Sequence, residues 1–335
     1  MSRRRTGLVV SLASMLAVAL AACGDSAAGD TNPGPASAPA PHIDRTVAAL
    51  QPSLSITDPA GTKVSLAAPP TRIVCLSGLC DDIVVELGLT PAGTSTPALL
   101  ANKALLGERA KDVPVVKGSF GSEDVESIAA LEPDLVMGLT GVHEPLRPAI
   151  ERFAPLWLAE PDTWQESIGQ LRALGALTGR VDQATAAEQR FRNTLADAVV
   201  RTRETGQAGR TVVLMYGSPD SIGVDTADSL KGHLLGMLFR YPFAAKSGDL
   251  ATASNFSVEE ILAQQPDVAL VYSLLFSPQD RTLSAQLAGN PVWQQVPAVQ
   301  ADRVTEVDAR LWGSGRGTRS LTAVIEEAMA LVPPR

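Results

Sequence analysis

Histidine is almost missing from this chain, because only His42, His143 and His233 occur among 335 residues. Acid–base catalysis and transition-metal sites draw mainly on histidine, and a metal site usually gathers several such ligands. The nucleophile elbow G-x-S-x-G, the phosphate loop G-x-x-x-x-G-K-[ST] and the zinc motif H-E-x-x-H are absent as well. We therefore predict neither an enzyme nor a metal or cofactor site, and we interpret His143 and His233 as ordinary surface or helix residues.

Basic residues are outnumbered, since 28 Lys and Arg stand against 36 Asp and Glu and leave a net charge of −8. Nucleic-acid binding depends on basic stripes that neutralise phosphates, so the composition argues against a nucleic-acid partner. Hydrophobic residues make up 45% of the chain, which is ample for packed cores. A length of 335 residues fits two domains of ordinary size.

Cysteine occurs three times, at Cys23, Cys75 and Cys80. Cys75 and Cys80 lack the second Cys or His pair that a zinc site requires. In an exported protein these two residues are candidates for a disulfide, and the alternative is two small buried thiols at a strand end and the following helix start. The spacing leaves both interpretations open, because the geometry of a disulfide is demanding.

The N-terminus carries an export signal. Arg3–Arg5 form a basic region, and Gly7–Ala22 form an apolar run that is short for a membrane span of about 20 residues. The run ends in LAAC, which resembles the lipobox of bacterial lipoproteins. This resemblance implies that residues 1–22 are a signal peptide and that lipid on Cys23 anchors the protein at the extracytoplasmic face of the cell membrane. The alternative is a short N-terminal anchor helix with an incidental cysteine.

The rest of the chain divides into a tether and two similar halves. Residues 23–52 are rich in Ala, Pro, Ser, Gly and Asp without an apolar period, so we expect a flexible tether. After a predicted hairpin around Asp58–Gly61, short apolar strands alternate with helices, as in parallel α/β sheets. We predict an N-terminal α/β lobe at 53–180, an interdomain helix at 181–205 and a C-terminal α/β lobe at 206–335. The expected fold is therefore two Rossmann-like lobes with parallel-rich sheets, joined by one long helix.

One helix–turn–strand unit occurs twice. The segments VESIAALEPDLVMG from Val125 and VEEILAQQPDVALV from Val258 share Val, Glu, Ile, Ala, Pro and Asp in the same order. Their apolar positions follow the spacing of a core-facing helix, which leaves Glu126 and Glu259 outside, one in each lobe. The simplest interpretation of both glutamates is a solvated helix face.

Aromatic residues make up only 4% of the chain, so their positions are informative. Five of them lie at strand ends or in the loops that follow: Phe120, Tyr216, Tyr272, Phe276 and Trp312. The glycine-rich stretch WGSGRG adds Arg316, and Arg310 precedes it, although a plain turn and helix N-cap is an equal interpretation of this loop. Ligands of open α/β sheets bind outside the carboxyl ends of the strands. These residues favour a cleft for a large planar or aryl-rich ligand with negative charge.

The lipobox, the segments DPAGTKVSL and PPTRIVCLS, the first repeat unit and the segment GNPVWQQVPAVQADRV together resemble a known family. They are similar to the substrate-binding proteins of ABC importers for ferric siderophores, haem and vitamin B12. The resemblance covers Leu54 to Leu331, and the WGSGRG tail is most similar to actinobacterial iron-siderophore lipoproteins. It implies a class III substrate-binding protein that captures a ferric siderophore between two lobes and delivers it to an ABC permease in the membrane. We expect a monomer.

The resemblance also implies roles for single residues. Glu126 and Glu259 match the glutamates that dock with arginines of the permease, where rim charges set register and encounter rate. Relatives often begin the first helix with a Ser/Thr-Glu pair, whereas this chain has Asp81-Asp82, so the role of this first loop stays open.

The ligand set comes partly from the resemblance and partly from the strand-end positions. Phe120 falls where relatives often place an aromatic residue in the cleft. The complete expected set is Phe120, Tyr216, Tyr272, Arg310, Trp312 and Arg316.

Three other functions stay open from the sequence. A haem- or cobalamin-binding protein of the same family is one, with Tyr216 or Tyr272 available as a ligand of haem iron. An extracellular ester hydrolase is a second, although no histidine lies in a motif that would activate a serine. A scaffold lipoprotein without a small ligand is the third, and it would leave the aromatic and arginine residues of the loops without a purpose.

Overall fold

The computed structural model of the chain describes residues 41–59, 61–218, 220–248, 252–273 and 280–335. The predicted signal peptide, the lipidation site Cys23, the greater part of the tether and the aromatic residue Phe276 lie outside the described residues. Within these ranges no helix combines the length and the apolar character that a bilayer crossing requires.

The first regular structure is the predicted hairpin, formed by β1 (Ser55–Thr57) and β2 (Lys63–Ser65) in antiparallel pairing. The Asp58 carboxylate closes the turn by accepting a hydrogen bond of 2.7 Å from the backbone N–H of Thr62. Its other oxygen accepts a hydrogen bond from Arg147, which connects the turn to the helix Arg147–Ile150.

The first half of the chain contains a four-stranded sheet of order β4-β3-β7-β8, in which all neighbours are parallel. A small hairpin stands apart from it. The strands of this half are β3 (Ile73–Cys75), β4 (Gly93–Thr94), β5 (Gly118–Ser119), β6 (Ser122–Glu123), β7 (Leu135–Gly138) and β8 (Leu156–Leu158). The helices are α1 (Gly78–Glu86), α2 (Pro97–Leu100), α3 (Val125–Ala129), α4 (Arg147–Ile150) and α5 (Trp164–Leu177), with 3₁₀ turns at Gly107–Asp112 and Glu144–Leu146.

The second half contains a five-stranded sheet of order β11-β10-β9-β12-β13. Strands β9, β12 and β13 are parallel, and β10 runs antiparallel to both of its neighbours. The strands are β9 (Val212–Ser218), β10 (Ser221–Asp225), β11 (Ala253–Asn255), β12 (Val268–Tyr272) and β13 (Val304–Glu306).

The helices of the second half are α7 (Leu230–Leu238), α8 (Val258–Ala263), α9 (Leu283–Leu287), α10 (Pro297–Gln300) and α11 (Thr318–Leu331). Two 3₁₀ turns, Gln207–Gly209 and Trp293–Gln295, and a π-helical segment, Arg310–Ser314, complete this half.

Between the two sheets runs α6 (Val181–Glu204), whose 24 residues correspond to about 36 Å. Near its start, Ala184 and Ala187 belong to the apolar core that includes strands β3 and β7. Further along, Phe191 and Leu195 belong to the core that includes β9 and α11. One helix therefore contributes to both cores, and burial at both of its ends makes it a stiff connection. The architecture confirms the predicted α/β fold of two parallel-rich sheets joined by a long helix.

Both copies of the repeated unit fold alike. The helix of each copy begins after a residue whose side chain caps it. This residue is Asp124 before α3 and Ser257 before α8. The isoleucines at the same position of the two helices, Ile128 and Ile261, are fully buried. These apolar positions are core residues, as their spacing predicts.

The Pro-Asp turn of each repeat has a structural task. The Asp134 carboxylate accepts hydrogen bonds from the backbone N–H groups of Thr71 and Arg72, just before β3. The Asp267 carboxylate accepts one from the backbone N–H of Thr211, just before β9. Each aspartate thereby holds the start of a neighbouring strand beside its own strand, which explains why Pro-Asp accompanies the unit twice.

Candidate ligand site between the two sheets

Two tyrosines lie side by side where adjacent parallel strands of the second sheet end. Tyr216 of β9 and Tyr272 of β12 are paired in register, and their rings stack with centroids 4.9 Å apart and planes 17° apart. Tyr272 is buried and donates a hydrogen bond of 2.9 Å from its hydroxyl to the Asp225 carboxylate. Tyr216 is half-buried and is thus the more accessible ring of the pair. The stack provides a flat aromatic surface at the carboxyl edge of the sheet.

Arg316 reaches from the loop before α11 to the first half of the molecule. Its Nε donates a hydrogen bond of 2.7 Å to Glu160 Oε1, and Glu160 follows strand β8 of the first sheet. Its Nη1 donates to the backbone carbonyls of Gly313 and Ser314 at 3.2 Å and 3.3 Å. The guanidinium is therefore oriented by its own loop and joined across the two halves by an ion pair.

Two charged side chains, the half-buried Asp225 and the buried Lys231, interact with this arginine. Burial raises the pKa of Asp225, and Lys231 and the Tyr272 hydroxyl oppose that rise. Burial, followed by the nearby Arg316 charge, lowers the pKa of Lys231 to about 7, against the effect of Asp225 and Glu160. The site thus contains an amine that titrates near neutral pH. Sequence reasoning missed Asp225 and Lys231, because they lie on different elements and form no motif.

Trp312 does not line this region. Its side chain is fully buried, and its Nε1 donates a hydrogen bond of 2.8 Å to the carboxylate of Glu327 on α11. We therefore correct the expectation that Trp312 contacts a ligand, since burial of a large aromatic side chain makes it a core residue. Arg310 begins the same π-helical segment and is exposed.

Phe120 stands at the tip of the β5–β6 hairpin with 65% of its surface exposed. Its ring meets the ring of His143 edge to face, with centroids 5.7 Å apart. His143 is fully buried: its Nδ1 accepts a hydrogen bond from the backbone N–H of Leu139, and its Nε2 lies 3.2 Å from Glu123 Oε1. The interpretation of His143 as a surface or helix residue is wrong, because it supports the hairpin that carries Phe120.

The first loop, which the sequence left without a role, connects the two halves. The Asp82 carboxylate accepts hydrogen bonds from the backbone N–H groups of Arg319 and Ser320 at the start of α11, at 3.1 Å and 2.7 Å. Burial raises the pKa of Asp82 to about 6. Beside it, Cys75 and Cys80 form a disulfide that joins the end of β3 to α1.

Asp81 is fully buried next to Asp82. It accepts hydrogen bonds from the hydroxyls of Thr94 and Thr96 at 2.6 Å and 2.5 Å. Burial raises its pKa to about 7 despite these hydrogen bonds, and the Asp82 charge adds to the rise. Asp82 thus connects the two halves, whereas Asp81 is bound within the first half.

Glu126 and Glu259 are both exposed, each at the second position of its helix. The structure therefore leaves both carboxylates available on the surface. Within the described part of the chain, no group of three or more His, Cys, Asp or Glu side chains is arranged to hold a metal ion.

Comparison with known proteins identifies relatives over most of the chain. The family model described as "Periplasmic binding protein" matches residues 73–311. The Fe(3+)-citrate-binding protein YfmC of Bacillus subtilis is 23% identical over 77% of this chain and 79% of its own length. The Fe(3+) dicitrate-binding periplasmic protein FecB of Escherichia coli is 24% identical over 78% of this chain and 85% of its own length.

The same fold occurs in the crystal structure of the petrobactin-binding protein YclQ of Bacillus subtilis. It superposes with a TM-score of 0.69 at 20% identity and covers 84% of this chain and 99% of that one. The family-model match confirms the family predicted from the sequence motifs, and this superposition confirms the two-lobed fold.

Proposed function

Because the chain belongs to the periplasmic binding protein family, we propose that it is the lipid-anchored substrate-binding protein of an ABC importer. In this proposal it captures a ferric siderophore between its two lobes on the extracytoplasmic face of the membrane and delivers the chelate to the permease. The ferric iron is cargo held by its chelator, so the protein itself needs no metal ligands.

The observation that carries the proposal is the stacked pair of Tyr216 and Tyr272 beside Arg316. An aromatic surface and a guanidinium at the carboxyl edge of an α/β sheet suit a chelate that combines flat groups with negative charge. Relatives named for ferric citrate and ferric dicitrate binding support the same class of ligand. Phe120 and Arg310, both exposed, complete the proposed ligand set.

A titration tests this function. Purified lipid-bearing protein in detergent is titrated with ferric citrate, ferric siderophores, haem and cobalamin while tryptophan fluorescence is followed. We expect saturable quenching by at least one ferric chelate and weaker binding by a Tyr216→Ala variant. Saturable binding of haem or cobalamin alone would assign the protein to the alternative ligands of the same family. Failure of folded protein to bind any of them would contradict chelate capture.

The docking role belongs to the same proposal. Glu126 and Glu259 occupy equivalent positions of the two repeat helices and are both exposed. Two carboxylates, one from each of the proposed lobes at 53–180 and 206–335, suit a partner with two arginine patches. We assign the membrane permease as that partner, and the lipid on Cys23 as the anchor that keeps the two together.

A further inference from the structure

Arg316 already forms an ion pair with a carboxylate of the protein itself, Glu160. Its Nε donates to Glu160 Oε1 at 2.7 Å, and this ion pair joins the loop before α11 to the segment after β8. The backbone of the same arginine is fixed independently, since Ser167 Oγ on α5 donates a hydrogen bond of 2.8 Å to the Arg316 carbonyl oxygen. Release of Glu160 therefore leaves the arginine loop attached to the first half.

The Glu160 carboxylate uses only part of its hydrogen-bonding capacity in this position. Its second oxygen, Oε2, is buried and has no hydrogen-bond partner among the described residues. A buried carboxylate oxygen without a partner costs free energy, because it has lost hydration without replacement. Arg316 is therefore the main partner of the Glu160 carboxylate, and the carboxylate becomes hydrated again when a ligand displaces it.

Neighbouring charges act on Glu160 from both sides, since nearby carboxylates repel it and the buried Lys231 attracts it. Partial burial raises the pKa of Asp162, and the charges of Glu166 and Glu160 add to the rise, so carboxylates crowd this side of the site. On the other side, Arg316 lowers the pKa of the buried Lys231, which shows that the two cations repel each other. Glu160 partly offsets this repulsion, because its charge raises the pKa of Lys231, and an anionic ligand that displaces Glu160 takes over this role.

We propose that Glu160 competes with the ligand for Arg316, and that only an anionic, carboxylate-bearing chelate displaces it. This inference rests on the proposed function and specifies its ligand class. A carboxylate on the chelate can form the two-pronged contact that guanidinium groups favour, while Glu160 offers one oxygen. A chelate without a carboxylate leaves the ion pair of Arg316 and Glu160 intact. Glu160 is thus a residue that determines specificity by charge.

The test compares two neutralised carboxylates in the complete lipid-bearing protein. Glu160→Gln removes the competing charge, and Asp162→Asn removes an equal charge two residues away without touching the guanidinium contact. Each protein is titrated calorimetrically with ferric citrate, with iron-free citrate, and with ferrioxamine B, a hydroxamate chelate that carries a protonated amine. Circular dichroism and thermal unfolding establish that each variant is folded, and Glu160→Ala serves as a second neutral substitution.

We expect Glu160→Gln and Glu160→Ala to bind ferric citrate about tenfold more tightly than the wild type, equivalent to about 1.4 kcal/mol. Asp162→Asn should change this affinity less than about threefold, and affinity for ferrioxamine B should not rise in any variant. Weaker citrate binding by both Glu160 variants would show that Glu160 holds the ligand and would overturn the inference. An unchanged affinity, an equal gain in Asp162→Asn, or an equal gain for ferrioxamine B would overturn it as well.

The outcomes also separate this inference from the proposed function. If the wild type binds none of the ferric chelates but binds iron-free citrate, chelate capture fails while the competition by Glu160 is still measured with citrate. If neither wild type nor variants bind citrate in either form, the inference is overturned. Binding of ferrioxamine B alone supports chelate capture and overturns the assigned ligand class.

Discussion

Asp82 and Ser320 meet across the seam of the molecule, where the Asp82 carboxylate accepts a hydrogen bond of 2.7 Å from the backbone N–H of a residue 238 positions later. The same carboxylate also accepts from the N–H of Arg319, so α1 of the first half supplies the acceptor for two free donors at the start of α11. Gly317 leaves room for this approach, since a Cβ there would lie 2.2 Å from Asp82 Oδ1.

Removal of this contact should destabilise the protein. Asp82→Ala leaves the buried N–H of Ser320 and the partly buried N–H of Arg319 without their acceptor, and we expect a loss of about 1–3 kcal/mol in the free energy of unfolding. Urea unfolding followed by circular dichroism measures the change. Asp182→Ala is the control, because Asp182 is likewise an aspartate on a helix but is exposed. An equal loss in both variants would contradict the bridging role.

Asp81 should make stability depend on pH. Its folded-state pKa is about 7 against 3.8 for an ordinary aspartate, mainly through burial. The folded state therefore binds the proton more tightly, and this group lowers the free energy of unfolding as pH rises from about 4 to 7. Asp81→Asn removes this contribution. Across that window the free energy of unfolding of the variant should therefore rise relative to that of the wild type, by roughly 1 kcal/mol for each unit of the Asp81 pKa shift. Urea unfolding from pH 4.5 to 8 gives both curves, and parallel curves would refute the prediction.

A methyl group added at Gly223, against the Tyr216 ring, should weaken ligand binding without removing any side chain. Gly223 of β10 lies against Tyr216, and a Cβ at this glycine would come within 2.5 Å of the Tyr216 ring. Gly223→Ala therefore displaces the accessible ring of the stack, and we expect at least a tenfold loss of chelate affinity in a fluorescence titration. Gly169→Ala is the control, since nothing lies within 4 Å of a Cβ there. Unchanged affinity in Gly223→Ala would exclude Tyr216 from the site.

Charge reversal on the repeat helices should separate capture from delivery. The double variant Glu126→Lys, Glu259→Lys is expected to keep its chelate affinity and to lose at least about tenfold in cellular iron uptake, because rim charges govern productive encounter with a partner. Uptake of radiolabelled ferric chelate and a binding titration measure the two effects. Glu108→Lys with Glu204→Lys reverses two other exposed carboxylates and should leave uptake intact. A parallel fall in affinity and uptake would contradict the docking role.

Some parts of the molecule were predictable because their causes are local. The β1–β2 hairpin, strand β7 and helix α6 follow from turn residues and apolar spacing. Strands β10 and β11 were missed, since Ser221–Asp225 and Ala253–Asn255 are short and partly polar and exist through pairing with β9. Their antiparallel edge carries Gly223 and Asp225, so the error in the fold concealed part of the candidate site.

By itself the sequence determined the α/β alternation, the long helix, the repeated Pro-Asp unit and the family, because apolar periodicity and turn chemistry act between residues close in the chain. Only the tertiary structure decided that Trp312 is buried, that His143 supports Phe120, and that Asp82 reaches α11. It also decided that Glu160 faces Arg316. These contacts join residues far apart in the chain, and their geometry depends on how the two sheets and α6 pack together.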